Sequence, residues 1–63
     1  MRVKGLRANV NQNQLVSVLK KHMNKDSTQL NAIARQILNG AVIQLEDDWA
    51  LEQDLKDLGV RVD

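Results

Sequence analysis

Leu15-Val16-Ser17-Val18-Leu19-Lys20-Lys21-His22-Met23 and Leu30-Asn31-Ala32-Ile33-Ala34-Arg35-Gln36-Ile37-Leu38 carry the two most regular apolar stripes of the chain. In the first, Leu15, Val18, Leu19 and His22 fall at i, i+3, i+4 and i+7, and Val16 and Met23 widen the face. In the second, Leu30, Ile33, Ala34, Ile37 and Leu38 repeat the stripe. This spacing puts the apolar groups on one side of a helix, so the stretch predicts two short amphipathic helices. The polar turn Asn24-Lys25-Asp26-Ser27 joins them. Asn11 or Asn13 can cap the first helix and Asp26 or Ser27 the second, because a short polar side chain accepts from a free backbone N–H. Lys20, Lys21 and Lys25 crowd the end of the first helix, where cations meet the negative pole of the macrodipole. Asn39-Gly40 closes the second, since Gly readily takes the left-handed conformation.

Working outward, Met1 to Ala8 reads as a first strand anchored by Val3 and Leu6. These two are out of strict alternation, and a bulge at Gly5 would correct the phase. Arg2, Lys4 and Arg7 suit an edge strand, where charge discourages further pairing. Ala41 to Leu45 is short and β-branched, and reads as a second strand. Asp47 or Asp48 then caps a third helix that runs to about Leu58, with Leu51, Leu55 and Leu58 as its stripe. Gly59 ends it, and Val60-Arg61-Val62 makes a last strand. The order is β-α-α-β-α-β. The expected class is α+β, with two layers: a small three-stranded antiparallel sheet and helices on one face.

At 63 residues the chain has room for one domain, residues 1–63. A domain of this size buries only about 60% of its unfolded surface. It has no Cys, and a single His cannot build a zinc site. Stability is expected from packing alone, or from packing with self-association. No apolar run approaches the roughly 18 residues of a membrane span. No apolar segment follows the basic start, so no signal peptide is expected. A cytoplasmic setting, bacterial or phage, fits these features. The net charge of +1 hides a split. Residues 1–35 hold seven cations against Asp26, a net +6, and residues 36–63 hold two cations against seven carboxylates, a net −5. Such a split often gives one basic and one acidic face.

The element order, the first-helix stripe Leu15, Val16 and Leu19, the second-helix stripe Leu30, Ile33 and Ile37, and the ending Ala50-Leu51 through Leu55 and Leu58-Gly59-Val60-Arg61-Val62 resemble one known family. That family is the C-terminal domain of the bacterial ribosomal stalk protein. The adaptor family that feeds substrates to bacterial ATP-dependent proteases has a similar overall fold. The resemblance covers nearly the whole chain and rests mostly on hydrophobic spacing. It implies the two-layer fold and a protein-binding role. The stalk domain has a Gly-rich turn between its first two helices that helps recognise translation factors. Here the turn His22-Met23-Asn24-Lys25-Asp26-Ser27-Thr28 contains no Gly. Lys20, Lys21 and Arg35 would form a basic binding face at the corresponding helices.

The residues offer little chemistry. Glu46-Asp47-Asp48 with Glu52 lacks the ligand alternation, Gly and closing Glu of a calcium loop, and reads as a helix cap with a solvated acidic turn. His22 has no nucleophile motif beside it and reads as a packing or surface residue. The three Gly are isolated, so no phosphate loop exists. No catalysis, cofactor or metal is expected. Trp49 either closes the core or stands as an exposed anchor, since Trp is enriched at interface hot spots. Its acidic surround would suit a partner that brings basic residues.

The expected function is a non-catalytic protein-interaction module, a small adaptor or regulator, with Lys20, Lys21, Lys25, Arg35 and Trp49 as partner-binding residues. The alternative is a small nucleic-acid-binding regulator that uses the basic residues, Arg2, Lys4 and Arg7 among them, on phosphates. In that reading residues 28–38 are a recognition helix with Arg35, Gln29, Asn31 and Gln36 as base readers. The basic half has no aromatics for stacking on single strands. A homodimer held by the exposed sheet face or by Trp49 is a third arrangement.

Overall fold

The computed structural model describes residues 1–63. The elements are β1 (Arg2–Leu6), α1 (Gln12–His22), α2 (Ser27–Leu38), β2 (Ile43–Gln44), α3 (Trp49–Leu58) and β3 (Val60–Val62). The strands form one antiparallel sheet in the order β2-β1-β3. The class is therefore the expected α+β. Along β1, Arg2 and Lys4 are exposed while Val3 and Gly5 are buried. In β3, Val60 is buried and Arg61 exposed. One face of the sheet thus meets the helices and the other is open.

Each helix begins where a side chain satisfies its free N–H groups. Asn11 accepts from the Gln14 N–H at 2.8 Å, and the Gln14 side chain accepts from the Asn11 N–H at 3.1 Å. Asp26 and Gln29 repeat this reciprocal box at the start of α2. Asp48 caps α3 by accepting from the Leu51 N–H. α2 ends in a Schellman motif. The Gly40 N–H donates to Ile37 O, the Ala41 N–H donates to Gln36 O, and Gly40 has φ +82°.

Three expectations are corrected. β1 is the central strand, not an edge. Its cations do not cap an edge, because alternation sends Arg2 and Lys4 to the open face and leaves both rows of backbone groups free to pair. The second strand shrinks from residues 41–45 to Ile43–Gln44. Ala41 is taken up in closing α2, and only Ile43 and Gln44 pair, with Val3 and Arg2. The first strand also stops at Leu6, two residues short of Ala8. The expected bulge is present. Val3 pairs with Val62 and Leu6 with Val60, so β1 advances by one extra residue, and Gly5 takes φ +100° there.

The core gathers Val3 and Val60 from the sheet, Leu15 and Leu19 from α1, Leu30, Ala34 and Ile37 from α2, and Leu51 and Leu55 from α3, closed by Met1 and Val10. α1 packs against both α2 and α3, α2 against β1, and α3 against β3. The apolar stripes of the sequence are these contacts. No helix is long and apolar enough to cross a membrane.

Candidate functional site

α1 stops at His22 because Met23 turns extended, with φ −119° and ψ 132°. This brings the α1–α2 turn against the loop between β2 and α3. His22 holds the junction. Its Nε2 lies 2.7 Å from Asp54 Oδ2 on α3, its Nδ1 lies 4.0 Å from the capping carboxylate of Asp48, and its side chain is only 16% exposed. His22 is thus a packing residue with a polar partner.

Beside it is an open cleft of 440 Å³. Met23, Leu45 and Leu51 supply its apolar lining, Lys25 lines it from the turn, and Glu46, Asp47 and Asp48 line it from the loop. Two of these acidic residues already have structural tasks. Asp48 caps α3, and Asp47 accepts from the α-ammonium of Met1, which also donates to Leu45 O. That hydrogen bond and the ammonium charge hold the Asp47 carboxyl below the usual carboxylate range.

Trp49 follows Asp48 directly, at the first turn of α3, and is 76% exposed. The core closes without it, which resolves the open choice between core and surface. Its position explains this. On α3, Leu51 and Leu55 face inward, and Trp49 lies two residues before Leu51, about 200° round the helix.

Lys20, Lys21, Lys25 and Arg35 are all exposed, and none forms an ion pair within the chain. Lys25 alone lines the cleft. Lys20 and Lys21 stand about 100° apart on α1, on the two sides of its outward face. Arg35 is on α2, next in sequence to the buried Ala34 and facing away from the core.

The basic residues divide between two surfaces, which replaces the single basic face expected from the charge split. The helical layer carries Lys20, Lys21, Lys25 and Arg35. The open sheet face carries Arg2, Lys4 and Arg61, and Lys4, Arg7, Lys56 and Arg61 share one shallow depression with Asp63. Lys56 and Arg61 come from the acidic half of the sequence. Pairing of β3 with β1 brings Arg61 beside the N-terminal cations, and the end of α3 brings Lys56 there, where its carbonyl accepts from Arg7; the alternation in Val60-Arg61-Val62 is the signal from which Arg61 could have been placed. Lys4 Nζ lies 2.8 Å from Asp63 Oδ2, and this hydrogen bond and charge hold the Asp63 carboxyl low.

Compared with known proteins, the chain matches no family model, no curated protein and no solved structure.

Proposed function

We propose that this domain is a non-catalytic protein-interaction module, a small adaptor or regulator of the bacterial or phage cytoplasm. The observation that carries the reading is Trp49. The only aromatic residue of the chain is 76% exposed at the start of α3, directly after Asp48, which lines a mostly polar cleft floored by Met23, Leu45 and Leu51. Trp combines large apolar area with few rotatable bonds, and such residues dominate binding energy when a partner covers them. The unpaired cations Lys20, Lys21, Lys25 and Arg35 supply steering and register toward carboxylates of the partner. The likeness of the element order and leucine pattern to the ribosomal stalk C-terminal domain supports the same reading, as both describe a small domain whose helices meet other proteins.

Variants test it. Trp49→Ala weakens partner binding by roughly 30-fold or more, the scale of a hot-spot residue. Lys20→Glu with Lys21→Glu lowers the association rate and affinity. Circular dichroism of both variants stays that of the wild type, because all three side chains are exposed. Unchanged affinity in both would defeat the proposal.

A further inference from the structure

The open face of the sheet is a second charged surface, separated from the helices by the core. Arg2 and Lys4 project from β1 and Arg61 from β3, all exposed. Gln44 stands opposite Arg2 in register, so their side chains share this face. Arg7 and Lys56 extend it at one end, where the Arg7 guanidinium donates to Lys56 O at 3.2 Å. Asp63 is the one carboxylate in the depression there, and it is engaged by Lys4.

We propose that this face binds the phosphate backbone of duplex DNA, with the sheet lying along the major groove. Charge complementarity selects the ligand class: five cations, of which Lys4 is paired with Asp63 and Lys56 with Glu52 while Arg2, Arg7 and Arg61 have no carboxylate partner, on a face with no aromatic side chain. The lack of a stacking platform disfavours single strands. Shape favours B-form duplex. The face cations Arg2, Lys4 and Arg61 stand on the two adjacent strands β1 and β3, and a two-stranded ribbon is what a major groove about 12 Å wide admits. The major groove of A-form RNA is too narrow and deep to admit a sheet. Gln44 is placed among the cations, where an amide can meet a base edge. The helical alternative is weaker. Gln29 is occupied in the α2 capping box, and Asn31 accepts from the Gln12 side chain at 2.8 Å and donates to Ser27 O. Two of the base readers on α2 are thus already engaged within the chain. This surface is distinct from the helical one proposed above, and the two stand or fall separately.

The test is fluorescence anisotropy with a labelled B-form duplex of arbitrary sequence, titrated across salt. Five phosphate contacts would give a slope of log affinity against log salt of about −4.5, so the expected range is about −3 to −5. Arg2→Glu with Arg61→Glu weakens binding about tenfold or more at low salt and makes the slope shallower by about 2. Asp63→Asn strengthens binding, because it frees Lys4. Lys20→Glu with Arg35→Glu, on the helical layer, has at most a small effect. If the glutamates disturb the sheet by circular dichroism, Arg2→Gln with Arg61→Gln serves instead with the same expected direction. The proposal is overturned by absence of binding at low salt, by equal losses from the sheet and helical pairs, or by equal affinity for polyglutamate. The last result would assign the face to an acidic protein.

Discussion

Of the three Gly, Gly59 is the one at which a single added carbon is least tolerated. It ends α3 with φ +114°, and a Cβ built there would sit 2.9 Å from the Cβ of Ala8, with Val10 Cγ2 at 3.5 Å. Gly59→Ala therefore adds two costs. The left-handed conformation costs a non-Gly residue about 1–2 kcal/mol. The contact with Ala8 is closer than carbon atoms tolerate, and Ala8 Cβ is fixed to the backbone, so the connector after β1 must move, an overpacking cost of about 1–3 kcal/mol. The sum is about 2–5 kcal/mol. A 63-residue domain has a total stability of roughly 3–9 kcal/mol, so most of it is at stake. Gly40 is the internal control. It also has positive φ, +82°, but nothing lies within 4 Å of its added Cβ. Gly40→Ala should lose only the conformational part, about 1–2 kcal/mol. Urea unfolding followed by circular dichroism measures both variants. With a slope near 1 kcal/mol per M for so small a domain, their midpoints should differ by roughly 1–3 M. Ala8→Gly in the Gly59→Ala background should recover the steric part and leave the rest. Equal midpoints for the two alanine variants, together with no rescue by Ala8→Gly, would refute the close approach of the α3 end to the connector between β1 and α1.

Two further predictions concern polar contacts. His22→Ala removes the bond to Asp54 across the α1–α3 junction and should cost about 1–3 kcal/mol in urea unfolding; a loss below about 0.5 kcal/mol, the range of ordinary surface changes, would show that the junction does not depend on it. The lowered Asp63 pKa makes a pH prediction. A carboxylate whose folded pKa is depressed stabilises the fold above its unfolded pKa, and that contribution disappears as pH falls through the folded value. The wild type should therefore exceed Asp63→Asn in melting temperature near neutral pH, and the gap should close as pH drops below about 4. A gap that persists or widens in acid would contradict the Lys4–Asp63 pairing.

Much of this architecture is legible in the sequence because helices and their caps are local. Leu15, Leu19, Leu30, Ala34, Ile37, Leu51 and Leu55 announce themselves by spacing, and Asn11, Asp26 and Asp48 by their place before the stripes. Gly5 marks the bulge because Val3 and Leu6 are out of phase. Pairing is not local, and there the reading falls short. The cations of β1 look the same on an edge strand as on a central strand with one open face, and only the sheet order decides. The charge split by halves misleads for the same reason. It places Arg61 and Lys56 with the acids, while antiparallel pairing of β3 with β1 places Arg61 beside Arg2 and Lys4, and the end of α3 brings Lys56 against Arg7. Trp49 reads as the first residue of the third helix whether it faces core or solvent, and only the inward packing of Leu51 and Leu55 shows that it faces solvent.

The most direct test of the interaction-module reading is affinity capture of the tagged domain from bacterial lysate, with and without nuclease, compared with Trp49→Ala and analysed by mass spectrometry. The account predicts a stoichiometric protein that survives nuclease and is lost with the Trp49 variant. If everything captured disappears with nuclease, or the same protein is retained by Trp49→Ala and by Lys20→Glu with Lys21→Glu, the helical face and its exposed tryptophan are not what this domain uses to meet its partner.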